Sequence, residues 1–254
     1  EEHRRCGVPL LSLETGRPIV DFDLIAFSIS FENDYLNLPP LFELMQIPLL
    51  RRERNEKYPL LLCGGVCAFL NPEPLAEVMD LFAIGEAEPI LPGVIELLQS
   101  RCDVPRDQLL GDLSTLPGIY VPEHYSVDYD EHGLPVYRSL AVGAGKVTRQ
   151  WAKNIDASMA MTCVLTPRTE FADMRLIEVS RGCPRACRFC AAGFIYRPFR
   201  QHSLEVLTAE LADSSHVGRT GLVAAAVTDS DALVQFGRAI QAGGGDVSVS
   251  SVRI

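Results

Sequence analysis

Apolar residues fall into short runs along the first hundred positions, separated by polar stretches rich in proline and glycine. Leu24 to Ser30 and Pro59 to Gly65 are nearly continuous apolar runs of strand length, the pattern of parallel strands covered on both faces. Leu36 to Leu44 predicts a helix between them, with Pro39 and Pro40 crowding its start. Asn71-Pro72-Glu73-Pro74 reads as a helix entry with proline in the first turn, continued by Leu75 to Met79. Leu81 to Ile84 predicts a short strand and Glu88 to Ser100 a helix. Strands alternating with helices point to an open α/β sheet. Gly85-Glu86-Ala87-Glu88 follows a strand's carboxyl end, where such sheets place ligands. Glu86 and Glu88 also suit a plainer role, as turn and helix N-terminal charges.

That rhythm lapses over residues 101–170. Tyr125 to Tyr129 alternates polar and apolar positions, Asp130-Glu131-His132-Gly133 supplies a turn, and Leu134 to Leu140 returns, which predicts a β-hairpin. Gly143-Ala144-Gly145-Lys146 lacks the earlier glycine of a phosphate loop and reads as a turn. From Met174 the alternation resumes. Leu176–Val179 is a strand, Leu204–Ser214 a helix capped by Ser203, and Gly221–Thr228 a strand. A helix over Asp231–Ala242 is closed by Gly243-Gly244-Gly245, and Val247–Ile254 is a last strand. The βαβαβ order opens a parallel barrel or a doubly wound sheet. Three strands cannot close a barrel, and no initiating Met is present, so a piece of a longer protein is expected. The segments divide as an α/β domain over 1–105, a linker with a hairpin over 106–170, and the start of a second α/β domain over 171–254.

With 47% hydrophobic and 22% charged residues over 254 positions, the composition excludes disordered and collagen-like chains. No window approaches the ~20 apolar residues of a membrane span, and no signal-peptide core opens the chain. A formal charge of -10 disfavours non-specific nucleic-acid binding, though a local basic patch could still engage RNA. These features suit a soluble cytoplasmic enzyme. The 8 cysteines are too sparse for a disulfide scaffold. Five are dispersed, among them Cys63 and Cys67, which read as core or turn thiols.

The other three lie in Arg181-Gly182-Cys183-Pro184-Arg185-Ala186-Cys187-Arg188-Phe189-Cys190, a C-x3-C-x2-C spacing directly after a strand. Three thiolates can hold three irons of a [4Fe–4S] cube and leave the fourth iron open. An exchangeable position of that kind marks catalytic metal sites, and here it could chelate the amino and carboxylate groups of S-adenosylmethionine. Structural zinc is the alternative. It needs a fourth ligand, for which Cys163 or His202 would serve. A redox dithiol needs only two cysteines. His202 and His216 otherwise read as surface residues at helix boundaries. Arg181, Arg185, Arg188, Arg197 and Arg200 surround the triplet. They could stabilise an anionic cluster, reach a cofactor carboxylate, or dock a reductant or an RNA phosphate, or simply form a solvated basic loop.

At these residues the sequence resembles the radical S-adenosylmethionine (radical SAM) superfamily. The likeness rests on Cys183, Cys187 and Cys190, on Phe189 before the last of them, and on the βαβαβ pattern that follows. Arg181-Gly182-Cys183 and Phe194 to Pro198, with Asn71 to Pro74 and Gly85 to Glu88, are similar to a branch in which a cobalamin-binding-type domain precedes the radical barrel. The resemblance implies a partial Rossmann- or flavodoxin-like domain followed by the first βα units of a partial TIM barrel. It also implies a [4Fe–4S] cluster, S-adenosylmethionine as cofactor, an electron donor such as flavodoxin or ferredoxin, and hydrogen abstraction by a 5′-deoxyadenosyl radical. The substrate, RNA or protein among the options, stays open, and no catalytic residue is assigned.

The family's cobalamin pattern, D-x-H-x-x-G, is absent, because Asp130 and His132 lack the later glycine. No lower-ligand histidine is therefore expected. The glycine-glycine-glutamate motif after the second barrel strand is replaced by Val227-Thr228-Asp229-Ser230. The resemblance implies that Phe189, Thr228, Asp229, Ser250 and Arg253 contact S-adenosylmethionine. The alternative function is a non-enzymatic zinc- or iron–sulfur-binding module that docks a partner.

Overall fold

The computed structural model describes residues 2–101, 103–140, 145–185, 187–213, 218–225 and 230–249. The chain splits into two compact units, Glu1–Ala152 and Lys153–Ile254. Both are mixed α/β, with sheets that are mostly parallel.

In the first unit, helix α1 (Glu2–Cys6) precedes strand β1 (Leu24–Ser28), helix α2 (Leu38–Met45), strand β2 (Leu60–Gly64) and helix α3 (Val66–Leu70). Strand β3 (Leu81–Ala83), helices α4 (Ala87–Ser100) and α5 (Arg106–Ser114), and strand β4 (Ile119–Tyr120) complete its main layer. The sheet order is β1-β2-β3-β4, with β1, β2 and β3 parallel and β4 antiparallel to β3. Leu60-Leu61-Leu62-Cys63 is apolar without alternation because both faces are covered. Leu61, Cys63 and Phe82 join Phe42 and Met45 of α2 in one core. Leu60, Leu62, Leu81 and Ala83 meet Ile90 and Val94 of α4 and Leu110 and Leu113 of α5 in the other. The predicted hairpin is present as β5 (Tyr125–Tyr129) paired with β6 (Pro135–Ser139).

Three local expectations need correction. Asn71 to Met79 is not a helix but a single 3-10 turn over Glu73–Leu75. Two carbonyls that follow the turn are bonded to arginines remote in the chain: Ala76 O accepts from Arg51 Nε (2.9 Å) and Val78 O from Arg54 Nη2 (2.5 Å). Residues 106–120 are not irregular, since α5 and β4 lie there and β4 pairs with β3. Helix α2 starts at Leu38 and not at Leu36, with Pro39 and Pro40 in its first turn, where a missing N–H costs nothing.

A buried charge cluster ties the loops below this sheet together. Asp80, 4% exposed, pairs with Arg54 (3.1 Å) and Arg106 (2.7 Å) and accepts the Leu61 N–H (2.8 Å). The terminal guanidinium nitrogens also donate to carbonyls, Arg54 to Pro48, Leu49 and Val78 and Arg106 to Tyr58 and Pro59, while Arg54 Nε is buried with no partner among the described residues.

The second unit contains strand β7 (Arg175–Glu178), strand β8 (Ser180–Arg181), helix α6 (Ala192–Ile195), strand β9 (Arg200–Gln201) and helix α7 (Leu204–Asp213). Strand β10 (Arg219–Val223), helix α8 (Asp231–Ala242) and strand β11 (Asp246–Val249) follow. Its sheet runs β11-β10-β7, all parallel, so consecutive strands of the βαβαβ unit are neighbours. Ile177, Val179 and Leu222 pack against Leu207 of α7 and Leu233, Phe236 and Ile240 of α8. Strand β10 begins at Arg219, two residues before the expected start. Residues 226–229 and 250–254, and with them the ends of the two expected strands, lie outside the described residues.

Removing Asp80 would leave two buried guanidiniums uncompensated. Asp80→Ala is expected to lower unfolding stability by about 3–5 kcal/mol, read as a denaturation midpoint. Asp128→Ala, which breaks an exposed pair with Arg138, should leave that midpoint unchanged.

Candidate metal centre at the cysteine loop

The cysteine loop is rooted at both ends. Strand β7 runs through Val179 into β8, and β8 pairs antiparallel with β9 through Ser180↔Gln201 and Arg181↔Arg200. Residues 182–199 therefore leave and return through one narrow neck. Gly182 is in the left-handed region (φ 86°), and a Cβ there would lie 2.3 Å from Tyr196 O and 3.0 Å from Pro198 O. Only glycine lets the returning chain lie against the outgoing one. The neck is fastened to its surroundings. Val179 N–H donates to Val223 O (3.0 Å), His202 N–H donates to Val179 O (3.1 Å), and Glu178 N–H donates to Ala160 O (2.9 Å). Arg181 grips Glu178 with two bonds, Nε to Oε1 (3.0 Å) and Nη2 to Oε2 (2.7 Å), the planar geometry that guanidinium and carboxylate share.

On the loop, Cys183 and Cys190 are half-buried, Cys187 is exposed, and all three are free thiols. Phe189 is 92% exposed. Arg185 and Arg188 are exposed beside the thiols, Arg197 stacks over the Phe194 ring (4.8 Å), and Arg200 donates to Pro198 O (3.0 Å). Among the described residues no three His, Cys, Asp or Glu side chains are gathered as metal ligands. The donor set itself fits an iron–sulfur cluster: three accessible sulfurs on one tethered loop, with no disulfide to compete.

His202 departs from expectation. It is 1% exposed rather than a surface residue, and its ring Nδ1 lies 3.1 Å from Asp156 Oδ1. Ser203 N–H donates to the same oxygen (3.0 Å). Burial works against the Asp156 charge, but the bonds from Ser203 and His202 outweigh it and hold the carboxyl below the usual range. The ring is thus committed away from the triplet. Ser203 caps α7 as expected, its Oγ 3.4 Å from Val206 N.

Residues 1–122 match the family described as radical SAM proteins, N-terminal. Over that stretch the chain is similar to the N-terminal part of radical SAM proteins. It is also 26% identical over 258 residues to an uncharacterised protein of Methanocaldococcus jannaschii, an alignment that covers 99% of this chain and 49% of that relative. The chain therefore spans about half the length of the relative it matches. The matched family segment ends before the cysteine triplet, so the family match and the C-x3-C-x2-C spacing come from separate stretches. No helix among the described residues is long and apolar enough to cross a membrane.

The remaining candidates divide clearly. Thr228, Asp229, Ser250 and Arg253, assigned by the radical SAM resemblance to S-adenosylmethionine, lie outside the described residues, as do Ala186, His216, Cys102 and the first half of the expected Gly143–Lys146 turn. The carboxyl edge at Gly85 to Glu88 is covered by the chain itself. Gly85 bridges Gln150 in parallel, a Cβ at Gly85 (φ 135°) would lie 2.1 Å from Gln150 O, and Glu86 Oε2 accepts the Ala152 N–H (2.9 Å). The plainer reading of Glu86, as a turn carboxylate, describes this geometry. Asp130 Oδ1 accepts the N–H groups of His132 (2.9 Å) and Leu134 (2.8 Å), so it shapes the hairpin turn, and the His132 ring is exposed beside Glu131. Sequence reasoning missed Asp156 and Glu178. The three-residue spacing of Glu178 and Arg181 was a usable signal; nothing local marks Asp156.

Cys63 and Cys67 are buried, as read. Burial, then the nearby Cys67, pushes the Cys63 thiol up to about 12. Burial and Glu32 also raise Cys67, against a hydrogen bond from the Tyr35 hydroxyl. A thiol reacts as its thiolate. Iodoacetamide at pH 8 should therefore modify exposed Cys6, Cys163 and Cys187 in the metal-free protein and spare Cys63 and Cys67, as read by peptide mass spectrometry. The same geometry predicts that Gly182→Ala, which places a methyl into the 196–199 backbone, raises protease cleavage within 182–199.

Proposed function

We propose that Cys183, Cys187 and Cys190 hold a [4Fe–4S] cluster and that the intact protein is a radical SAM enzyme. One observation carries this reading. A C-x3-C-x2-C loop sits directly after the first strand of a parallel βαβαβ unit, in a chain whose first 122 residues match the N-terminal part of radical SAM proteins. When bound, such a cluster supplies the electron that cleaves S-adenosylmethionine to methionine and a 5′-deoxyadenosyl radical.

The protein's own residues then have defined tasks. The three thiolates bind and leave one iron without a protein ligand. Phe189, standing out from the loop, lies against the cofactor, and Thr228, Asp229, Ser250 and Arg253 supply its polar contacts. Arg185 and Arg188 offset the charge of the anionic cluster. Residues 1–105 form a cobalamin-binding-like domain, 106–170 a connecting segment with the hairpin, and 171–254 the opening of a TIM-type barrel. Cobalamin itself is no part of the proposal, because the D-x-H-x-x-G pattern is missing and the Asp130 carboxylate shapes the hairpin turn. A flavodoxin or ferredoxin in the cytoplasm is the electron source, and the substrate is an RNA, a protein or a smaller molecule with an abstractable hydrogen. For the alternative zinc module, His202 is a poor fourth ligand, since its ring is buried against Asp156.

Anaerobic reconstitution of the intact protein should give about 4 iron and 4 sulfide per chain. Reduction with S-adenosylmethionine should then release 5′-deoxyadenosine. Cys187→Ala should lower the iron content and the visible absorption together. Colourless protein with stoichiometric zinc, indifferent to dithionite, would overturn the reading.

A further inference from the structure

The neck of the cysteine loop has two residue pairs, Ser180↔Gln201 and Arg181↔Arg200. An isolated hairpin is marginal in water even at greater length, so the neck must be held from outside. The residue immediately after β9 does this twice. The His202 main-chain N–H is bonded to Val179 O (3.1 Å), on the strand that leads into the loop. Its ring, with a side chain 0% exposed, meets Asp156 through Nδ1 at 3.1 Å. Asp156 is itself anchored. Its N–H donates to Asn154 Oδ1 (3.1 Å), its Oδ1 also takes the Ser203 N–H that opens α7, and Ile155 beside it is buried. His202 Nε2 is buried with no hydrogen-bond partner among the described residues. The Asp156 bond therefore decides where this ring sits. A hydrogen bond to a carboxylate is stronger than a neutral one.

We infer that His202, held by Asp156, is a positioning residue for the cysteine loop, fixing the spacing of β8 and β9 and so the path along which Cys183, Cys187 and Cys190 converge. Its consequence for iron rests on the cluster reading above; its effect on the neck does not. The ring touches no cysteine ligand in this account. It acts through the backbone of residues 200–202, which returns the loop to its root.

Three variants of the intact protein test this. His202→Phe keeps a ring of similar volume and removes both nitrogens. His202→Asn keeps a donor near the Nδ1 position. Asp156→Ala removes the acceptor. In the metal-free protein, amide exchange at 180–182 and 200–202 should quicken about tenfold in His202→Phe and Asp156→Ala, with His202→Asn near the native rate. After anaerobic reconstitution, the first two should lose iron to a chelator faster by a similar factor. Their reduced clusters should give an altered electron paramagnetic resonance signal on adding S-adenosylmethionine, and His202→Asn should restore the native signal. Native exchange, iron loss and signal in His202→Phe would overturn the inference, and so would equal damage from His202→Asn. If His202→Phe fails to fold, native exchange in Asp156→Ala overturns it. A native protein that takes up no iron refutes the cluster reading, while the exchange comparison still decides the role of His202.

Discussion

A loop can present three sulfurs to one ligand only if its two ends are held together, and here that closure rests on a close backbone approach at Gly182. The returning segment 196–199 lies where any side chain at position 182 would have to go. The ladder of β8 and β9, the bidentate Arg181–Glu178 pair and the bonds from Val179 and His202 then fix the two strands. Closing a loop of this length costs entropy that grows slowly with length, but the cost falls wholly on a few root contacts. The thiols themselves remain accessible, with Cys187 exposed and Cys183 and Cys190 half-buried. A tight root under an open tip suits the cluster proposed for this loop.

The first unit is built on the opposite balance. Its sheet is buried on both faces, and its loops converge on Asp80 with two guanidiniums. Its strand order runs consecutively, without reversal among the described strands, whereas ligand crevices in open sheets form where the order reverses. The edge at Gly85 is filled by the chain's own Gln150. These features leave no crevice at the sheet's Gly85 edge, and they move attention to the cysteine loop as the chemically equipped part of the chain.

Much of the architecture could be read directly. The unbroken apolar runs at Leu60–Cys63 and Leu81–Ala83 mark strands buried on both sides. The helix at Asp231–Ala242, with its glycine stop, carries its boundaries in its own residues. Helix α5 could not be read this way, because only Leu110 and Leu113 are buried on it. Its first N–H is capped by Glu56, a carboxylate remote in the chain. The turn at Glu73–Leu75 was misread because proline and acidic residues suit a helix start and a 3-10 turn alike.

Cysteine spacing, the aromatic beside the last thiol and the strand that precedes them are properties of adjacent residues, so they stand in the chain as written. What surrounds them is not local. Asp156 meets His202, and Glu210 meets Arg175, across long separations that no periodicity encodes. A histidine at a helix boundary looks solvent-facing until the core behind it is assembled. Burial and hydrogen-bond partnership arise only when distant segments pack, because they depend on which groups lose water together. The chemistry of the loop was therefore written in its residues, and its support was settled by packing.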